Sequence, residues 1–96
     1  MEVTIKTIHF DASDKLKQFI EKKTAKLDRL AKEGEVELTL KVEKPESANN
    51  KTATMHMVAK GGNIHVEQTR NTFEESIDAC IELLQRQLVK LKEKEK

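Results

Sequence analysis

The sequence predicts an α+β fold of order β-α-β-β-β-α, a four-stranded sheet with two helices packed on one face. Three observations lead there. Four short segments carry apolar residues at every second position, the period of a strand with one buried and one wet face. Two longer segments repeat apolar residues at steps of three and four, the period of a helix buried along one stripe. Capping and turn residues separate these segments.

The first strand is expected at about Glu2 to Ile8, where Val3 and Ile5, and less regularly Ile8 with Phe10, alternate with Thr4, Lys6 and Thr7. Ser13 suits a helix N-cap because its hydroxyl can accept an unpaired N–H of the first turn, and Asp14 sits where the helix dipole favours negative charge. Leu16, Phe19, Ile20, Leu27, Leu30 and Ala31 form the stripe of this helix. The alkyl stem of Lys23 fills the gap, and Gly34 suits the left-handed residue that closes the helix. Val36, Leu38, Leu40 and Val42 then alternate with Glu37, Thr39, Lys41 and Glu43 as a second strand, joined to the first by a right-handed crossover.

Pro45 to Asn50 reads as a polar turn segment. Ala53, Met55, Met57 and Ala59 mark the third strand, Gly61-Gly62 a tight hairpin, and Ile64 with Val66 the fourth strand, opposite His65 and Glu67. Asn71 with Glu74 resembles a capping box opening the second helix. Its stripe is Phe73, Ile77, Cys80, Ile81, Leu84, Leu88 and Leu91. The alternating Lys92 to Lys96 tail is expected to fray, and residues 1–96 form one domain, since 96 residues cannot supply two cores.

Composition narrows the function. Hydrophobic and charged residues each make up 36%, which describes a thin aliphatic core under a charge-rich surface, without room for a deep catalytic cavity. No apolar run approaches the ~20 residues of a membrane span, and the N-terminus lacks the order of a signal peptide, so a cytoplasmic protein without a membrane partner is expected. The single Cys80 excludes an internal disulfide and, lying on an apolar stripe, reads as a buried inert thiol. His56 and His65 share the outer sheet face with Glu67 nearby, but their spacing has no metal-ligand signature. The three glycines form no phosphate-binding loop. No enzyme, no metal and no cofactor are expected.

The net charge of +1 conceals a segregation: residues 13–32 carry +4 and residues 86–96 carry +3, leaving −6 elsewhere. On a helical wheel Lys15, Lys22, Lys26 and Arg29 gather on one flank of the first helix. In the second helix Glu74, Glu75, Asp78 and Glu82 fill the first half and Arg86, Lys90, Lys92 and Lys94 the second, an order its dipole also favours. Arg86 and Lys90, four apart on the flank away from the buried stripe, could sit beside the basic flank of the first helix, which depends on how the helices pack. Two such helices can present a basic groove that grips double-stranded or folded RNA by shape and phosphate contact. The absence of Trp and Tyr argues against stacking on single-stranded bases.

Ala25-Lys26-Leu27, Leu40-Lys41-Val42-Glu43-Lys44, Ala53-Thr54-Met55-His56, Gly61-Gly62-Asn63-Ile64-His65, Phe73-Glu74-Glu75-Ser76-Ile77-Asp78 and the run from Gln85 to Lys92 follow one another in an order and spacing that resemble the ribosome hibernation promoting factor and ribosome-associated inhibitor family, over essentially the whole chain. The resemblance implies a fold similar to double-stranded RNA-binding domains. It further implies binding to the small ribosomal subunit, in the channel of messenger and transfer RNA, through basic helix residues that contact ribosomal RNA. Matching positions are Lys23, Lys26, Arg86, Lys90 and Lys92; the wheel adds Lys22 and Arg29. The sequence departs from the family at Asn71 and Phe73, where aspartate and tyrosine are common, and at Leu83, where a basic residue is common. The expected function is therefore translation silencing in idle, stressed or stationary-phase cells by steric occlusion. The resemblance also implies a short form, without the extra domain by which long members pair ribosomes, so that pairing would need a separate ribosome-dimerising protein. Two other readings stand beside it: a general double-stranded or structured RNA-binding module, and a protein-protein adaptor using the exposed sheet face.

Overall fold

Alternation along the chain becomes a sheet whose strands lie in chain order. In the computed structural model the described residues are 2–8, 10–29, 34–42, 49–59 and 62–94, with side chains described as far as Leu91. The elements are β1 (Glu2–Ile8), α1 (Asp14–Asp28), β2 (Glu35–Val42), β3 (Lys51–Ala59), β4 (Gly62–Arg70) and α2 (Phe73–Lys94). The sheet order is β1-β2-β3-β4, with β1 parallel to β2 and the other two pairings antiparallel. A parallel pair needs a crossover, and α1 supplies it.

Register turns the alternation into rows. Ile5, Leu38, Met55 and Val66 lie opposite one another across all four strands, and Val3, Val36, Met57 and Ile64 form the next row on the same face. Both helices cover this face: Leu16, Ile20 and Leu27 from α1 and Ile77, Cys80, Ile81, Leu84 and Leu88 from α2 join the strand residues in one core. Burying an aliphatic side chain of this size contributes about 1.5–3 kcal/mol, so these rows hold most of the fold's stability. Partly buried Phe73 and Leu91 extend the α2 stripe at its two ends.

Four local readings are corrected. Alternation persists to the end of β1, so Thr7 pairs with inward Leu40 while Ile8 is 38% exposed. The gap in the α1 stripe is filled by Thr24, which is buried because its hydroxyl donates to the Ile20 carbonyl at 2.8 Å; Lys23 is only half-buried at the stripe's edge. The cap of α2 is Thr72 rather than Asn71: the Thr72 hydroxyl accepts the Glu75 N–H at 3.1 Å and lies 3.2 Å from the Glu75 carboxylate. The last β3–β4 pair is Ala59 with Gly62, so Gly62 opens β4, at φ 155°, instead of forming the turn.

Most other expectations hold or fall outside the described residues. Ser13 caps α1, its hydroxyl accepting the Leu16 N–H at 3.1 Å. The described helix ends at Asp28 with Arg29 as C-cap, and Leu30 and Ala31 lie outside the described residues, as does most of the Pro45 to Asn50 turn. Gly34 does not close the helix, whose C-cap is Arg29; its carbonyl instead accepts the Glu2 N–H at 3.1 Å, fastening the start of β1 to the start of β2. The backbone of α2 continues helical to Lys94, and residues 95–96 of the expected tail lie outside the described residues.

Two contacts set the position of α2. The buried Ser76 hydroxyl donates toward the Lys51 carbonyl at the start of β3, and Phe10, just past β1, stacks on Phe73 with ring centroids 4.6 Å apart. The first turn of α2 is thereby held against the end of the sheet where β1 also finishes.

Candidate nucleic-acid interface

Strand directions decide where the charges meet. Because β1, β2 and β4 all run the same way, α1 and α2 both start at the same end of the sheet and run back side by side. Their C-terminal halves therefore share the other end. Lys22, Lys26 and Arg29 are exposed on α1, and Lys26 and Arg29 line a hollow of about 490 Å³ with Gln85 of α2. Toward the helix starts the same groove becomes mixed in charge, its lining of Lys26 and Gln85 joined by Lys23, Asp78, Ile81 and Glu82.

Lys23 is not a free cation of this groove. Its Nζ lies 3.1 Å from the Asp78 carboxylate and 5.4 Å from the centre of the Phe19 ring, so ion pairing and ring packing hold it between the helices. Arg86 stands apart from the groove. It pairs with Glu82 one turn earlier at 2.8 Å and lines a different hollow, on the β4 side of α2, with Gln68, Arg70, Ala79 and Leu83. Helix packing decides the open placement of Arg86 against the α1 flank: Gln85 faces α1, and Glu82 lines both the groove and the hollow that holds Arg86. Lys90, one turn beyond Arg86, is exposed; the side chain of Lys92 lies outside the described residues.

The sequence reading missed Arg70. As the last residue of β4 it lies outside both basic runs, and only the packing of α2 against β4 brings it beside Arg86. The register Lys51 to Arg70 was the available signal, since it places Arg70 on the helix-covered face of the sheet.

The remaining reactive groups have structural surroundings. Cys80 is fully buried and its thiol points at the Ala53 carbonyl at 3.1 Å; burial pushes its pKa up to about 11, against smaller opposing effects of the Gln68 backbone and Arg70. That is the opposite of an activated thiolate. His56 and His65 are direct cross-strand neighbours on the outer face, ring centroids 5.9 Å apart. Among the described residues no group of three or more His, Cys, Asp or Glu is placed to hold a metal ion, and no helix is long and apolar enough to cross a membrane. Exposed ammonium and guanidinium groups over an open groove have the chemistry to bind a polyanion through its phosphates.

The structure is similar to the N-terminal domain of Thermus thermophilus Protein Y, at 22% identity over 92% of this chain and 96% of that one, with a TM-score of 0.81. It is also similar to a ribosomal subunit interface protein from Coxiella burnetii, at 19% identity over 96% of this chain and 98% of that one, with a TM-score of 0.85. These likenesses show the fold. No curated protein matches the chain. The family model described as sigma 54 modulation protein / S30EA ribosomal protein matches residues 3–96, every element from β1 to α2, and the chain belongs to that family.

Proposed function

We propose that this protein silences translation by occupancy: its helical face binds RNA of the small ribosomal subunit, fills the channel used by messenger and transfer RNA, and so stores idle ribosomes without catalysis. The observation that carries the reading is the pair Lys26 and Arg29, exposed together on the groove between the helices at the end where α2 also turns basic. Like charges at Lys22 and Lys26, four apart on one helix, repel mildly, a cost that a polyanion on this face would offset. Membership of a ribosomal protein family supports the ribosome as the partner.

In this reading Lys22, Lys26 and Arg29 contact phosphates from α1, and Arg86, Lys90 and Lys92 contact them from α2. Lys23 shares its charge with Asp78 across the two helices. No base-specific contact is required, because folded RNA can be gripped through its backbone and shape.

Sedimentation with separated ribosomal subunits at low and moderate salt tests the reading. Co-migration with the small subunit, weakening as salt rises, competed by initiator transfer RNA and lost on charge reversal of Lys26 with Arg86, is the expected result. Equal affinity for free duplex RNA would instead identify a general RNA-binding module. Failure to co-migrate at low salt would overturn the ribosomal function.

A further inference from the structure

We propose that Arg70 and Arg86 form a second phosphate-binding position, on the β4 side of α2, that takes the backbone of the same folded RNA whose main contact is the groove between the helices. The inference rests on the RNA-binding reading of that groove and adds to it a residue that neither basic run contains.

The hollow between β4 and α2 is lined by Gln68, Arg70, Ala79, Glu82, Leu83 and Arg86. Its two cations are guanidinium groups, which present a planar fork of donors suited to phosphate oxygens. Each has donors to spare. Arg70 uses one nitrogen on the Thr69 carbonyl at 2.9 Å, and Arg86 uses one on Glu82 at 2.8 Å. A guanidinium carries five N–H groups, so both retain most of their capacity. The neighbouring Gln68 amide adds a neutral donor, and the short Ala79 side chain leaves the space between strand and helix open.

The one opposing charge is weakly held. Glu82 and Arg86 are 65% and 67% exposed, and an ion pair so open to solvent contributes little, so a phosphate can replace the carboxylate at small cost. Backbone geometry fixes the site from both sides: Arg70 ends a strand whose ladder with β3 runs its full length, and Arg86 lies within the long helix packed on that strand. The position is therefore preorganised at its roots while both arginines are exposed, which suits a contact to a backbone without sequence readout. An RNA strand crossing α2 over the Glu82 ridge would meet Lys26 and Arg29 on one side and Arg70 with Arg86 on the other.

The test measures affinity of the full chain for purified small ribosomal subunits across a salt series, for wild type, Arg70→Ala, Glu82→Gln and Lys26→Ala, with thermal unfolding of each. Arg70→Ala is expected to weaken binding about tenfold at low salt and to reduce the slope of log K against log salt by about 0.9, the signature of one lost phosphate contact, with unfolding unchanged. Glu82→Gln is expected to tighten binding severalfold, since the carboxylate no longer competes. If Lys26→Ala weakens binding while Arg70→Ala leaves affinity and slope unchanged, the second position is overturned and the groove reading stands. A weaker Arg70→Ala complex with an unchanged salt slope overturns it too, because the effect would then be structural. Absence of binding by the wild type overturns both.

Discussion

Lys23 of α1 and Asp78 of α2 meet at 3.1 Å, with the lysine also lying against the face of Phe19 on its own helix. The pair joins the two helices across their groove, where the lining carries both signs of charge. Asp78 is 53% exposed, so its strength is that of a surface pair. A double-mutant cycle of Lys23→Met and Asp78→Asn, followed by urea unfolding, is expected to give a coupling of about 0.5 kcal/mol and less at high salt. A coupling above about 2 kcal/mol would show the pair to be effectively desolvated.

Thr72, not Asn71, closes the start of α2. Thr72→Ala should cost about 1 kcal/mol of stability, the usual worth of an N-cap, whereas Asn71→Ala should stay within about 0.5 kcal/mol. Equal losses at both positions in chemical denaturation would contradict the hydroxyl's bond to the Glu75 N–H.

This one-residue offset shows how far the sequence can be read. Asn71 and Thr72 are both capping residues and each is followed three residues later by a glutamate, Glu74 or Glu75, so local chemistry permits either start. The choice falls to tertiary contacts: Phe73 stacks on Phe10 and Ser76 meets the Lys51 carbonyl, and both fix the helix phase from outside the segment. The strands were legible because period two survives any packing of the helices, and rows such as Ile5, Leu38, Met55 and Val66 follow from it. The basic surface was legible on α1 alone. A wheel gives the angle of Arg86 from the buried stripe, but which side of α2 faces α1 depends on helix packing, and that side proved to be Gln85. Arg70 continues the alternation of Ile64, Val66 and Gln68 onto the helix-covered face, but its nearness to Arg86 becomes visible only in three dimensions.

Cys80 makes stability depend on alkaline pH. Burial raises its folded pKa from 9.0 to about 11, with Arg70 and Glu67 acting in opposite senses. The group thus favours the folded state fully below pH 9.0, and its contribution is lost as pH rises toward about 11, because the unfolded chain can release the thiol proton first. The loss is on the order of 2–3 kcal/mol at its limit. Unfolding free energies measured between these pH values should fall more steeply for the wild type than for Cys80→Ala, which removes the titrating group at the expense of a small cavity. Parallel slopes would place the alkaline instability elsewhere. At neutral pH the native thiol should resist alkylation until the protein unfolds.

The basic flank of α1 invites a test that separates a functional surface from a merely solvated one. Lys22, Lys26 and Arg29 are exposed, and Lys22 with Lys26 is a like-charged pair four residues apart, an arrangement that helix stability disfavours by a few tenths of a kcal/mol. Lys26→Glu converts this repulsion into an attraction with Lys22, so the folded state should be unchanged or about 0.3 kcal/mol more stable. The same change places a negative charge on the groove shared with Arg29 and Gln85, where any phosphate would bind. A variant as stable as the wild type or more so, yet at least about tenfold weaker on small ribosomal subunits, is the expected outcome, since the lost contact and the new repulsion act together. Thermal unfolding and subunit binding measured on one preparation check both halves. Unchanged binding by a folded Lys26→Glu would mean that the charges serve solubility alone, and a large loss of stability would mean that Lys26 has a structural partner instead of an exposed face.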